Sequence, residues 1–186
     1  MKINDNIKIG ILGLGYVGLP LAVEFSKKFS VLGFDINEKR INNLKNNKDS
    51  TLEVPRKILI KSKKLNFTST INDLSNCNIF IITVPTPIDK KNNPNLKPII
   101  KASKLVATII KKKNFIIYES TVYPGLTEEV CVPIIENISK LKLNKDFYVG
   151  YSPERINPGD TRYKLSDIVK ITSGSNKYSS NFIDKL

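Results

Sequence analysis

The chain has 186 residues, of which 40% are hydrophobic, and this suits a single domain with a sizeable core but contains no apolar run long enough to cross a bilayer. It has no histidine, and its two cysteines, Cys77 and Cys131, lack metal-ligand spacing, which excludes a zinc site or a histidine-based triad within it. The net charge of +13 raises a nucleic-acid interpretation, but the lysines are scattered through Asn- and Ile-rich segments, so we expect no nucleic-acid partner.

The first predicted strand is followed directly by a glycine-rich turn. Residues 7–12 are an apolar run, and residues 19–29 have the character of a helix. Between them, Gly13 permits a tight turn, Gly15 lets a pyrophosphate approach the backbone, and Gly18 lets the helix pack closely on the strand. Strand, turn and helix in this order predict a dinucleotide site at the helix N-terminus.

The second predicted strand, residues 30–34, ends at a carboxylate. Asp35 at this position can accept hydrogen bonds from both hydroxyls of an adenosine ribose and would repel a 2′-phosphate, which favours NAD over NADP. Arg40 complicates this interpretation, because a nearby arginine can accommodate that phosphate. With Asp35 directly at the strand end, we interpret Arg40 as flanking the adenosine of NAD.

Strands and helices continue to alternate along the rest of the chain. Predicted helices cover residues 37–46, 54–62, 96–111 and 126–139, the last bent or interrupted at Pro133, and predicted strands cover 65–68, 79–84, 115–119, 147–151 and 168–172. A final helix begins near Asn176. This alternation predicts an α/β fold of Rossmann type, a doubly wound and mostly parallel sheet with helices on both faces.

Three unusual loops follow predicted strands and therefore fall on one edge of that sheet. They are Val-Pro-Thr-Pro at 84–87, Glu-Ser-Thr-Val-Tyr-Pro-Gly at 119–125 and Tyr-Ser-Pro-Glu-Arg-Ile-Asn-Pro-Gly-Asp at 151–160. Each combines hydroxyls or charges with prolines that stiffen the loop. Ligands of open α/β sheets bind at the carboxyl ends of the strands, so the loops predict a site beside the glycine turn.

These loops, with Gly-Leu-Gly-Tyr-Val-Gly-Leu-Pro-Leu-Ala at 13–22, resemble the UDP-glucose/GDP-mannose dehydrogenase family of nucleotide sugar dehydrogenases. The forms are most similar to the branch that oxidises UDP-N-acetylglucosamine or UDP-N-acetylmannosamine. The resemblance covers essentially the whole chain. It implies an NAD-dependent UDP-sugar 6-dehydrogenase, cytoplasmic and homodimeric at full length, that serves surface polysaccharide synthesis.

The resemblance also implies roles for individual residues. Ser120 and Thr121 would lie beside the nicotinamide, with Thr121 helping to position water, and Glu154 would act in acid/base chemistry and touch the substrate. The full set of cofactor residues it implies is Gly13, Gly15, Tyr16, Val17, Gly18, Asp35, Arg40, Pro85, Thr86, Ser120 and Thr121. The substrate residues it implies are Glu154, Arg155, Ile156 and Asn157.

The family reaction oxidises one primary alcohol twice. A first hydride passes to NAD and leaves an aldehyde, a cysteine thiolate captures the aldehyde, and a second NAD accepts a hydride before the thioester is hydrolysed. In the family that cysteine, the essential lysine, the central helix and the UDP-binding domain lie beyond the position that corresponds to Leu186. We therefore expect residues 1–186 to form the NAD-binding domain, truncated at its C-terminal end, and to be inactive alone.

Two alternatives stay open at this point. The chain is half of a split or truncated dehydrogenase, completed by a separate C-terminal half, or it is a vestigial NAD-binding module without catalysis. A Gly-rich cysteine motif in an adjacent reading frame would favour the first, and its absence would favour the second. A basic nucleic-acid-binding protein is the weakest interpretation.

Overall fold

A computed structural model describes residues 6–89, 93–154 and 169–186. Its centre is a seven-stranded sheet in the order β3-β2-β1-β4-β5-β6-β7, in which every neighbouring pair is parallel except β6 and β7. The strands are β1 Lys8–Leu12, β2 Ser30–Phe34, β3 Leu65–Thr68, β4 Ile79–Ile82, β5 Phe115–Tyr118, β6 Tyr148–Tyr151 and β7 Ser173–Gly174. The predicted doubly wound sheet is confirmed.

Six α-helices are described. They are α1 Gly18–Ser26, α2 Glu38–Lys45, α3 Arg56–Lys61, α4 Lys97–Ala107, α5 Val132–Ser139 and α6 Lys177–Lys185. The Asn37 side chain caps α2 by accepting from the Arg40 amide, and Asn176 begins α6 through a reciprocal capping box with Ser179. None of the helices within the described residues is long and apolar enough to span a membrane.

Alternating residues of each central strand serve two separate cores on the two faces of the sheet. In β4, Ile79 and Ile81 pack into one core with α1 and α6, while Phe80 and Ile82 pack into the other with α4 and α5. Strands that are buried on both faces appear in the sequence as near-continuous apolar runs, and these runs made the central strands predictable.

The helix predicted over residues 126–139 forms in two parts. A π-helical turn at Thr127–Cys131 precedes α5, and Pro133 lies in the first turn of α5. A proline has no amide hydrogen to donate and its ring crowds the preceding turn, so the helix changes its hydrogen bonding just before it. The predicted interruption at Pro133 is confirmed.

The strand predicted over 168–172 is wrong for the part that the structure describes. Residue 168 lies outside the described residues, and residues 169–172 form no strand. Pairing begins at Ser173 because its partner Tyr151 is the last residue of β6. Val169 and Ile171 are exposed, so their apolar character reflects no sheet position. A short 3₁₀ helix at Ile71–Asn76, before β4, was not predicted.

Candidate functional site

The glycine turn lies between β1 and α1, at the carboxyl edge of the sheet. Gly13 has φ +97°, a conformation that disfavours residues with a side chain, and its amide donates to the carbonyl of Phe34 at 2.9 Å. A Cβ at Gly18 would lie 1.8 Å from the carbonyl oxygen of Gly13, so only glycine allows α1 to begin this close to β1. A Cβ at Gly15 would meet nothing within 4 Å, which leaves open space above the turn.

The first turn of α1 is available to an anion. Its N-cap residue, Val17, makes no side-chain capping bond, and the first turn contains no acidic residue. The amides and the positive end of the helix dipole can therefore attract a phosphate group. Tyr16, the residue before Val17, is half exposed beside this turn.

Asp35 follows β2 and is fixed under the turn. Its Oδ2 accepts from the Leu14 amide at 2.9 Å, and its Oδ1 accepts from the Asn37 amide at 2.9 Å. Each carboxylate oxygen can accept more than one hydrogen bond, so both retain capacity for ribose hydroxyls.

Arg40 is turned into the protein and does not appear among the described residues that line the cleft. Its Nε donates to the Leu14 carbonyl at 2.9 Å, and its Nη1 lies 2.6 Å from Oδ1 of Asp49. Its contact with the adenosine ribose therefore stays a prediction. In the described conformation the guanidinium is bonded to Leu14 and Asp49 and is not part of the cleft lining.

A cleft of about 920 Å³ joins the predicted cofactor residues. One side carries the glycine turn and Asp35, and another carries the loops after β4, β5 and β6. Predicted residues on its walls are Gly13, Gly15, Tyr16, Val17, Asp35, Pro85, Thr86, Ser120, Thr121 and Glu154. Gly18 is absent from the described lining and instead lies against the carbonyl of Gly13, at the back of the turn. The volume lies within the range of pockets that enclose small organic ligands.

Hydroxyl groups tie the loops of this edge to one another. Ser120 Oγ donates to the Val84 carbonyl at 2.7 Å, and the Thr86 hydroxyl donates to the carbonyl of Thr121. Thr83, the residue directly after β4, was not among the predicted site residues; its hydroxyl donates to the Gly13 carbonyl at 2.7 Å and so stabilises the glycine turn. Its position at the end of a buried strand, before Val-Pro-Thr-Pro, was the signal that could have identified it.

A second unpredicted residue, Glu119, lies where β5 ends. It is buried, it lines the cleft with Glu154, and its Oε2 lies 2.5 Å from Nζ of Lys170. Burial raises the pKa of Glu119, nearby Lys170 opposes that rise, and the charge of Glu154 adds to it. Glu119 also borders a second cavity of about 360 Å³, lined by Ser152 and Lys170 among others.

Three predicted substrate residues, Arg155, Ile156 and Asn157, lie outside the described residues. Glu154, immediately before them, lines the cleft. Within the described chain the structure therefore brings Glu154 and Thr121 to the same cavity as the glycine turn.

Neither cysteine is placed to act as a nucleophile in this cleft. Cys77 and Cys131 are buried and absent from its described lining. Burial raises the pKa of Cys77 to about 11, and burial likewise raises the pKa of Cys131. A thiol that stays protonated at neutral pH is a weak nucleophile.

A parallel sheet of order 3-2-1-4-5-6, a glycine turn at a helix N-terminus and a carboxylate after the second strand together define a Rossmann-type dinucleotide-binding domain. Residues 7–185 match the family described as "UDP-glucose/GDP-mannose dehydrogenase family, NAD binding domain". The chain belongs to this family, and its cofactor is NAD.

Comparison with individual proteins agrees with the family match. The chain is 54% identical over 181 residues to a UDP-N-acetyl-D-glucosamine 6-dehydrogenase of Pseudomonas aeruginosa, covering 97% of this chain and 43% of that protein. A solved UDP-D-ManNAc dehydrogenase of Pyrococcus horikoshii has a TM-score of 0.85 at 32% identity, covering 96% of this chain and 44% of the other. GDP-mannose dehydrogenase of Pseudomonas aeruginosa has a TM-score of 0.88 at 26% identity, covering 95% and 43%. The chain thus spans less than half the length of these relatives.

Proposed function

We propose that this chain is the NAD-binding part of a dehydrogenase that oxidises the primary alcohol of a UDP-N-acetylhexosamine to a uronate. The observation that carries the proposal is the single cleft in which the glycine turn and Asp35 share walls with Thr121 and Glu154. The names of the relatives, which act on UDP-N-acetylglucosamine and UDP-N-acetylmannosamine, support this class of substrate.

The residues of the cleft fit NAD. The open space over Gly15 can receive a pyrophosphate, the uncapped start of α1 can stabilise its charge, and Asp35 can accept from the ribose. Tyr16 and Val17 would contact the phosphates through their backbone, with Pro85, Thr86 and Ser120 farther along the same wall. Bound NAD would supply the hydride acceptor.

The catalytic roles fall to residues at the other end of the cleft. Glu154 would act as the base that takes a proton from water or from the reacting hydroxyl. Thr121, tied to Thr86 through its carbonyl, would help to position that water. Arg155, Ile156 and Asn157 complete the proposed substrate set, next to Glu154 in the sequence.

Catalytic incompleteness of this chain is the second candidate function. It is favoured by the two buried thiols, neither of which is among the described residues that line the cleft. Under it, a separate half would supply a central helix, the cysteine and a UDP-binding domain. By family resemblance, we also propose that the complete protein is a cytoplasmic homodimer that serves polysaccharide synthesis.

Calorimetric titration of NAD against the chain tests the cofactor site. We expect Asp35→Ala to weaken binding at least about tenfold, since it removes the ribose acceptor and the bond to the Leu14 amide. Asp184→Ala, at an exposed aspartate outside the cleft, is the matched control and should bind like the wild type. Unaltered affinity in Asp35→Ala would refute the cofactor assignment.

A second experiment tests the substrate class by measuring NADH formation with UDP-N-acetylglucosamine and with UDP-N-acetylmannosamine. We expect none from the chain alone and a signal when a C-terminal half from a relative is supplied. Sustained turnover by the chain alone would show that it is complete. No turnover with either sugar in the complemented enzyme, while NAD still binds, would exclude this substrate class.

A further inference from the structure

The Glu119 carboxyl group lies between the cleft and the second cavity. That cavity, of about 360 Å³, lies on the face of the sheet that packs against α1 and α6, where Ile81, Ile117 and Ile183 form part of its wall. Among the described residues, Glu119 alone lines both this cavity and the cleft. One carboxyl group therefore has access to both spaces.

The sheet determines this position of Glu119. Its amide donates to the Ile82 carbonyl at 2.8 Å, which continues the pairing of β5 with β4 by one residue. Side chains alternate between the two faces of an extended chain, so Glu119 shares the face of Ile117, two positions earlier, and both line the second cavity.

A cation adjoins Glu119 on the side of the second cavity, and a carboxylate lies on the side of the cleft. Nζ of Lys170, whose side chain is 21% exposed, lies 2.5 Å from Oε2 of Glu119, and Lys170 lines the second cavity. Glu154 lines the cleft, and its charge reinforces the rise that burial causes in the pKa of Glu119, while Lys170 opposes that rise. A carboxyl group whose pKa is shifted towards neutral pH can both accept and release a proton during turnover.

The second cavity reaches solvent. Lys28 of α1 and Asp184 of α6 line it and are exposed, and the buried Ser152 adds a hydroxyl to its wall. A cavity of this size with polar groups on its walls can hold water. Besides Glu119, Lys170 and Glu154, the charged residues described on the walls of the two cavities are Glu24, Lys28, Asp35, Lys101 and Asp184.

The proposed reaction generates protons inside the cleft. One primary alcohol, one water and two NAD become one carboxylate, two NADH and three protons. Glu154, as the base, takes up a proton when the hydroxyl is oxidised and must lose it before it can activate water for hydrolysis. A route that leads away from the occupied cleft would let Glu154 act twice in one catalytic cycle.

We propose that Glu119 relays protons from Glu154 to water in the second cavity. The O–H bond of protonated Glu154 breaks as an O–H bond forms at Glu119, through bridging water, and Glu119 then releases the proton to water beside Lys170. The step needs no oxidant or reductant besides NAD. The inference rests on the proposed function, because Glu154 is the base of that reaction, and Glu119 acts through Glu154.

The test measures NADH formation by the chain complemented with a C-terminal half, using the sugar that the wild type oxidises. Glu119→Gln has nearly the same shape but cannot accept the proton, so we expect kcat at pH 7 to fall at least about tenfold, while NAD affinity changes far less. Imidazole, a small proton acceptor, should restore most of the lost turnover. Glu128→Gln, at an exposed glutamate outside the described lining of both cavities, is the matched control and should keep wild-type turnover.

Lys170→Met tests the release step and replaces Glu119→Gln if that variant does not fold. Without the ammonium group the pKa of Glu119 rises further, so Glu119 keeps its proton at pH 7. We expect kcat to be lower than that of the wild type at pH 7 and to recover as pH is raised. A loss of packing alone would not produce this shift of the pH profile.

The outcomes separate a proton relay from a structural role. Unchanged kcat in Glu119→Gln, a loss that imidazole does not restore, or a Lys170→Met pH profile that matches the wild type would each overturn this inference alone. An absence of turnover in the complemented wild type would overturn the proposed function, and the inference with it.

Discussion

Two ion pairs with buried carboxylates lie near the cleft, Arg40–Asp49 beside the glycine turn and Lys170–Glu119 after β5, and the pKa values of their carboxylates are shifted in opposite directions. The pKa of Asp49 is lowered and the pKa of Glu119 is raised, although each lies within 2.6 Å of a cation. Burial is the largest influence on both. Asp49 overcomes it because Thr51 and Val54 donate to it, while Glu119 has Lys170 and a neighbouring carboxylate, Glu154. In this protein the hydrogen-bond donors around each carboxylate, together with the paired cation and any neighbouring carboxylate, set the direction in which its pKa is shifted.

The largest effect on stability should come from removing the cation of the Arg40–Asp49 pair. Arg40→Met leaves the Asp49 charge buried without it, and we expect a loss of about 3–5 kcal/mol in the free energy of unfolding. Urea denaturation at pH 7 measures this loss. Arg40→Lys keeps the charge but not the planar set of donors and should lose less. A loss below about 1 kcal/mol in Arg40→Met would contradict the expectation that the guanidinium stabilises the buried Asp49 charge.

The same truncation in the Lys170–Glu119 pair should reduce the free energy of unfolding by a smaller amount. We expect Lys170→Met to lower the free energy of unfolding by about 1–2 kcal/mol, because Glu119 can take up a proton once its cation is gone. Urea denaturation of the variant beside Arg40→Met provides the comparison. Equal losses from the two variants would contradict it.

Removal of one neutral contact should have a smaller effect. Ser50→Ala deletes the oxygen that accepts from Arg40 Nη1 at 3.0 Å, and we expect a loss of about 1 kcal/mol. The same denaturation experiment detects it. A loss as large as that of Arg40→Met would mean that the hydroxyl, and not the carboxylate, holds the arginine.

The smallest and most specific signal is the pH dependence. Because the pKa of Glu119 is raised on folding, its contribution to stability is fully present below its ordinary value of 4.5 and is lost as pH rises through the raised pKa. Asp49 shows the reverse, since its contribution is present above 3.8 and is lost as pH falls through the lowered pKa. We expect Glu119→Gln to remove the first slope and Asp49→Asn the second, in unfolding free energies measured from pH 3 to pH 8. Slopes of the same sign for the two sites would refute the assignment.

The cofactor end could be predicted from sequence because its signals are local. Gly13, Gly15 and Gly18 lie within six positions of one another, and Asp35 ends the next strand along. The direction of Arg40 could not be predicted, since it depends on Asp49 in a loop without a distinctive pattern. The pairing of Glu119 with Lys170 spans 51 positions and depends on how distant segments meet at the edge of the sheet. The strand predicted over 168–172 was misplaced because Val169 and Ile171 are apolar, as strand residues often are, but are exposed and lie outside any strand of the described residues.

The glycine turn also separates two kinds of selection that act on one short motif. At position 18 a methyl group would collide with the Gly13 carbonyl, so a library screened only for folding should already reject alanine there. At position 15 the same methyl group meets no protein atom, so alanine should pass that screen and fail only when the library is sorted for capture of the cofactor. The two glycines, three positions apart, would thus be required for different reasons: Gly18 for folding and Gly15 for binding of the cofactor.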